Sequence, residues 1–342
     1  MFISKNLNDK FNPVISHVNN TYNSVDGSGA AVVIIHNDEV VTENYWGHHS
    51  KAPGARLVQE DTQFHVASVR KSYIGFAVAY AVHNGYLASI DDKVINYLPE
   101  LDATLLNGTT LRHLLTHTHG LREIDGEISR EFDSGQSWAY RGINISLLTQ
   151  IVKETTGKTV SQILSEHVFQ PMGFQETGWY GQQNDKLAEV IRDNDEPFWN
   201  SYLSTDGDQM NMYVSARDLA KWGYLHLKQG YIKGEQVVDN EILKLATTLQ
   251  SPKTIDADLP QNGFLWFVKD LPAQKTEIGE LVPKGSYQIL GYTGAAVLVI
   301  PEHDIVAVRM FNSFGSPDGF DYLEDIRSFG DTVMECVLKD KK

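Results

Sequence analysis

Phe64-His65-Val66-Ala67-Ser68-Val69-Arg70-Lys71-Ser72 is the stretch on which the reading of this chain turns. Downstream of it, Tyr73, Ile74, Phe76, Val78, Tyr80 and Val82 make the segment from Val69 to His83 apolar nearly all round. That is the pattern of a central buried helix, and Asn84-Gly85 is a stop signal for it. Ser68 and Lys71 then fall one turn apart on one face at the helix start. The first N–H groups of a helix lack intrahelical partners, so Ser68 N–H is available to a developing negative charge, which the positive helix end also favours. The same field, with burial, lowers the Lys71 pKa and leaves a neutral amine able to activate the hydroxyl. The spacing alone is weak, since a chain this long holds about one or two such pairs by chance. Its plain alternative is a helix cap with a solvated lysine. The apolar helix favours the chemical reading, because a lysine in the first turn of a buried helix needs a reason.

Outward from this segment, strand patterns gather at the two ends. Ala30 to His36 and Val40 to Trp46 flank Asn37-Asp38-Glu39 and predict a hairpin, its first strand buried on both faces. Residues 295–300 and 305–311 flank Pro301-Glu302-His303-Asp304 and predict a second. Tyr322, Ile326, Phe329, Val333 and Val337 then recur at helical spacing. Between them, residues 90–250 carry helical patterns: Leu147, Leu148, Ile151 and Val152 line one face before Thr156-Gly157. Ser215-x-x-Asp218 resembles a capping box opening a helix through Leu219, Trp222 and Leu225. The expected fold class is α/β of the α+β type, with one antiparallel sheet built from both termini and flanked by helices, plus a mostly helical inserted subdomain. Within a single domain of residues 1–342, the sheet part is expected at about 25–85 and 260–342 and the helical part at about 86–259, with a cleft between them.

Composition narrows the function. The chain has 44 acidic and 29 basic residues, a formal net charge of −15, and no basic run longer than Lys341-Lys342. Nucleic-acid and anionic-membrane partners are therefore not expected, since phosphates call for clustered Lys and Arg. No apolar run approaches the ~18 residues of a membrane helix, and Met1-Phe2-Ile3-Ser4-Lys5-Asn6 lacks a basic-then-apolar leader. A cytoplasmic location is expected, which makes the sequons at Asn19, Asn107 and Asn144 accidental. Cys336 stands alone, which excludes an internal disulfide, and its helical setting predicts a buried thiol. No Gly-x-Ser-x-Gly elbow exists, and Gly27-Ser28-Gly29 precedes a strand, reading as a loop.

Several motifs in order resemble the serine β-lactamase-related family of class C β-lactamases, D-Ala-D-Ala peptidases and esterases. Ser68-Val69-Arg70-Lys71 fits its first motif, and Leu111-Arg112-His113-Leu114-Leu115-Thr116-His117-Thr118-His119-Gly120-Leu121 is similar to its "HLLTHTSGL" stretch, with His119 where Ser is usual. Ser137-Trp138-Ala139-Tyr140-Arg141-Gly142 falls where the family has Tyr-x-Asn, Ser215 to Ala220 resembles another recurrent block, and Tyr292-Thr293-Gly294 stands at the place of the Lys-Thr-Gly strand. The similarity runs from about residue 25 to 338. It implies that Tyr140 shares proton transfer with Lys71, that the Ala295 N–H completes an oxyanion hole with Ser68 N–H, and that Tyr292, Thr293 and Gly294 face substrate. It also accounts for His113 and His117 as structural residues, against a metal site formed by these two, His119 and a carboxylate from Glu123 or Asp125.

Two departures matter. Gly142 stands where the substrate-holding Asn belongs, with Asn144 as the nearest replacement, and Tyr292 replaces the lysine that pairs with a substrate carboxylate. Both touch the recognition of β-lactams and peptide C-termini. The expected activity is hydrolysis of a small-molecule carboxylic ester or amide through a Ser68 acyl-enzyme, with no cofactor and no metal. A β-lactamase or D,D-carboxypeptidase and a catalytically silent ligand-binding relative are the alternatives. Trp179, Tyr180, Trp199 and Tyr213 are aromatic residues of the middle segment that either shape an apolar pocket or belong to the core, the two readings having equal weight; the oligomeric state is left open.

Overall fold

A computed structural model describes residues 3–192 and 203–339. Seven strands form the central sheet: β1 (Ser4–Lys5), β2 (Gly29–His36), β3 (Glu39–Gly47), β4 (Phe267–Lys269), β5 (Ser286–Leu290), β6 (Ala296–Ile300) and β7 (Ile305–Phe311). Their spatial order is β1-β3-β2-β7-β6-β5-β4. The N-terminal and C-terminal strands meet at β2 and β7, where Val33 pairs with Val308 and Ile34 with Ala307. All pairings are antiparallel except the short one of β1 with β3. The hairpin β2–β3 turns through Asn37 and Asp38, both at positive φ (52° and 65°), the geometry whose twist matches that of the flanking strands.

Both sheet faces are covered, which is why β2 from Gly29 to Ile35 and the whole of β7 are buried. Helix α1 (Asn12–Ser24) presents Val14, Val18 and Thr21 to one face, beside the last described helix, α6 (Tyr322–Leu338), which contributes Ile326, Phe329 and Val333. The α6 helix also buries Cys336 as a free thiol. On the other face lie α2 (Arg70–His83), α3 (Ile143–Thr156), α4 (Ala216–Leu227) and α5 (Asn240–Thr247). Of these α4 packs directly on β2, β6 and β7, whereas α2 packs against α3 and α5. Thus α4 belongs to the sheet's packing although its sequence lies inside the stretch expected as helical subdomain. Its N-cap is formed by Ser215, which accepts from Asp218 N at 3.2 Å. The reciprocal half of a capping box is not made: the Asp218 carboxylate instead accepts from Gln175 N, Glu176 N and the Thr177 hydroxyl.

A small three-stranded sheet, absent from the sequence expectation, joins Gln63–His65 to Met212–Ser215 and Thr177–Trp179. It fixes the segment that leads into Ser68. Among the described residues no helix is long and apolar enough to cross a membrane.

Candidate active site

Between Thr62 and Ala79 every residue is buried except Ser68. The segment therefore presents one side chain to the outside, a hydroxyl. It does so from a single 3₁₀ turn, Ala67–Val69, rather than from the first turn of α2, which starts at Arg70. Ala67 adopts φ +46°, a left-handed conformation that costs a residue with a Cβ about 1–2 kcal/mol. His65 holds this turn. Its Nδ1 accepts from Ala67 N at 3.1 Å, while Nε2 donates to the Met210 carbonyl, so the ring is neutral with its proton on Nε2. Burial pushes the His65 pKa down to about 3.

Lys71 is 4% exposed. Burial, with the adjacent Arg70, holds its pKa well below the ordinary lysine value, which favours the neutral amine. Its Nζ rests 3.5 Å from the centroid of the Tyr140 ring. Among the described residues no hydrogen bond joins Ser68 Oγ to Lys71 Nζ or to the Tyr140 hydroxyl, although Ser68 and Tyr140 line the same cleft. Burial pushes the Tyr140 pKa up to about 12, with the nearby Ser68 hydroxyl opposing it, so the phenol keeps its proton near neutrality. Tyr140 is placed by a strap in which Ala139 N donates to the His117 carbonyl at 2.9 Å. Trp138 Nε1 donates to Asn262 at 2.8 Å, and the His117 ring packs on the Tyr140 ring at 4.5 Å.

The structure brings Ser68, Lys71, Tyr140 and Tyr292 together, but Thr293, Gly294, Ala295 and Asn144 do not line the cleft. Strand β5 ends at Leu290, and Gly291-Tyr292-Thr293-Gly294 is the turn into β6, not a strand. Gly294 N donates to the Gly291 carbonyl at 2.8 Å and Gly291 N to the Ala295 carbonyl at 2.7 Å, with Gly294 at φ +83°, a three-residue hairpin loop with a left-handed glycine. Thr293 is buried and its hydroxyl donates to the His65 carbonyl at 2.7 Å; Ala295 is fully buried. The glycine that comes closest to the turn carrying Ser68 is Gly291, where a Cβ would overlap the Val66 carbonyl oxygen. Neither Ser68 N nor Tyr292 N donates to a main-chain carbonyl among the described residues. Asn144 is fully buried, its amide nitrogen spent on the Leu114 carbonyl at 2.8 Å, so it does not replace the amide missing at Gly142.

The cleft beside Ser68 encloses about 400 Å³. Its aromatic wall comes from Trp138, Tyr140, Phe267, Tyr292 and Tyr322 rather than from Trp179, Tyr180 or Tyr213. Trp179 and Tyr213 are buried elsewhere, Tyr213 edge-on to His65 at 5.1 Å, and Trp199 lies outside the described residues. Tyr322 donates to the Gly291 carbonyl at 3.1 Å, tying α6 to the cleft. Glu277 also lines it, and sequence reasoning missed this residue: it sits in an irregular segment between β4 and β5 with no pattern to mark it. The three histidines point to separate partners: His113 Nδ1 meets Thr110, His117 Nδ1 lies 3.4 Å from the Asn144 amide, and His119 Nδ1 accepts from Leu121 N.

The profile of the Beta-lactamase family matches residues 18–329. The chain belongs to the Beta-lactamase family. It is 60% identical to an uncharacterised protein of Alkalihalophilus pseudofirmus, over 99% of this chain and 100% of that one. It is 28% identical to the esterase EstB of Burkholderia gladioli, over 48% of this chain and 50% of the esterase. Among solved structures, a penicillin-binding protein homologue from Caulobacter crescentus superposes with TM-score 0.77 at 18% identity, covering 96% of this chain and 98% of that one. EstCE1, described as a hydrolase with promiscuous acyltransferase activity, superposes with TM-score 0.71 at 19% identity, covering 94% and 98%. This Beta-lactamase family fold is a mixed α/β one with a central sheet between helical layers, as the sequence predicts.

Proposed function

We propose that this Beta-lactamase family protein is a serine hydrolase that acts on a small carboxylic ester or amide through a Ser68 acyl-enzyme. The observation that carries the reading is the one half-buried hydroxyl of an otherwise buried segment, sharing its cleft with Tyr140 and standing near a lysine held toward its neutral form. Lys71 takes the Ser68 proton as Oγ attacks the carbonyl carbon, and Lys71 becomes an ammonium. A protonated Tyr140 is a poor base at neutral pH and a suitable proton donor, so it passes its proton to the leaving group and is replenished from Lys71. Water then attacks the acyl-enzyme by the same route in reverse. The amides of Ser68 and Tyr292 are the donors best placed for the oxyanion, since both lie at the cleft and neither donates to a main-chain carbonyl.

An ester or neutral amide suits the cleft better than a β-lactam or a peptide C-terminus. Those substrates carry a carboxylate, and among the described residues the cleft lining holds no lysine or arginine to pair with it, only the acidic Glu277. Reaction with a fluorophosphonate and with a labelled penicillin, followed by intact mass, tests the proposal. The expected result is one phosphonate adduct, absent from Ser68→Ala, and no penicillin adduct. An adduct that survives Ser68→Ala, or no adduct with either probe, overturns the mechanism; labelling by penicillin overturns the substrate assignment.

A further inference from the structure

Glu277 has no task in the acylation chemistry just described, yet it is half-buried in the wall of the Ser68 cleft. Its Oε2 is buried with no hydrogen-bond partner among the described residues. An unpartnered carboxyl oxygen inside an apolar wall is costly, and such groups are retained where something pairs with them. Around it stand Trp138, Tyr140, Phe267 and Tyr322, whose ring faces carry negative potential. A carboxyl within an aromatic enclosure, in a lining that holds no positive side chain among the described residues, suits a cationic nitrogen. The net charge of −15 draws the same class of molecule toward the protein.

We propose that the Ser68 cleft is specific for esters or amides that carry a cationic nitrogen, held by Glu277 and the rings around it. This rests on the acyl-transfer reading and adds the chemical class of substrate. It also predicts a pH dependence of selectivity. Burial pushes the Glu277 pKa up to about 7, with Arg327 of α6 opposing. Arg327 donates to the Thr276 carbonyl at 2.8 Å. The other groups acting on this corner are the phenols of Tyr140 and Tyr322, and Arg309 with Asp325 beyond Tyr322, paired with each other at 2.6 Å. From β5, Gln288 contributes only an amide, donated to the Glu277 main-chain carbonyl at 2.9 Å. The carboxylate form, present above about pH 7, is the one that attracts a cation.

The test uses isosteric pairs whose charge does not titrate. Acetylcholine is compared with 3,3-dimethylbutyl acetate, and p-nitrophenyl trimethylammonioacetate with p-nitrophenyl 3,3-dimethylbutanoate, each rate divided by that of hydroxide. At pH 8 the expected preference in kcat/KM for the charged member is about tenfold or more in at least one pair. It should shrink as pH falls through about 7 and vanish in Glu277→Gln, with that variant still labelled at Ser68 by fluorophosphonate. No charged preference in either pair, or one that Glu277→Gln leaves intact, overturns the proposal. Should Ser68 fail to label in the wild-type protein, the acyl-transfer reading falls by itself. Calorimetric binding of phenyltrimethylammonium then decides this one: binding lost in Glu277→Gln supports it, and no binding or equal binding overturns it.

Discussion

The Thr293 hydroxyl donates to the His65 carbonyl at 2.7 Å, and that bond joins the β5–β6 turn to the strand that leads into Ser68. Both partners are buried, so removing the hydroxyl leaves a carbonyl without its donor. Thr293→Val is expected to cost about 1–3 kcal/mol in denaturant unfolding. It should also lower kcat/KM, because the turn carrying Tyr292 loses its tie to the turn carrying Ser68. Thr293→Ser keeps the donor and should recover most of both losses.

Tyr140→Phe retains the ring under Lys71 and deletes only the hydroxyl that shares the cleft with Ser68. The expected outcome is a fall in kcat of about 10²–10⁴-fold with little change in KM, read from steady-state ester hydrolysis. An unchanged kcat would remove Tyr140 from the proton path.

Lys71 is buried with its pKa depressed, so the folded chain binds fewer protons than the unfolded chain between the folded value and the ordinary lysine value. Stability therefore rises with pH through that window and falls as pH drops across it. Lys71→Met removes the penalty: it should abolish hydrolysis while stabilising the protein at and below neutral pH by an amount on the order of 1–4 kcal/mol. In the wild-type protein, kcat/KM for a neutral ester should rise with pH as Lys71 loses its proton, with an inflection well below that of free lysine. Thermal melts and a pH–rate profile check the two halves separately.

Ala67→Gly relieves the left-handed strain next to the nucleophile. Relief of about 1–2 kcal/mol less a chain-entropy cost of about 0.5–1 leaves a net gain of about 0–1.5 kcal/mol in unfolding experiments. Activity is expected to fall, since the turn that presents Ser68 gains alternative conformations. A variant that is both less stable and fully active would contradict the strain assignment.

The sheet was legible because its signals are local: the turn at Asn37-Asp38 and the one at Pro301 to Asp304 each lie between uninterrupted β-branched runs. Ser68 and Lys71 were legible for a similar reason, as a fixed spacing ahead of an apolar helix. The cleft wall was not. Trp138, Phe267, Glu277, Leu290 and Tyr322 come from separate segments, and nothing in the sequence around each says that they meet. Of Tyr292, Thr293 and Gly294 only the first lines the cleft: a Thr-Gly pair reads alike in a strand and in a turn, and only the φ of Gly294 and the bond from Gly291 to Ala295 place it in the turn. Asn144 failed by direction, since on the buried side of α3 its amide serves Leu114.

The meeting of β2 with β7 has a consequence for how the protein comes into being. Ser68 leaves the ribosome more than 200 residues ahead of Gly291 and Tyr292, and the strand pairs that bring them together link positions such as Val33 and Val308. Until the later strands emerge, the early hairpin has an unpaired edge and the Ser68 hydroxyl has no second wall. The cleft proposed for catalysis is thus incomplete for most of the chain's synthesis, and during that interval the chain depends on protection of the β2 edge from other chains.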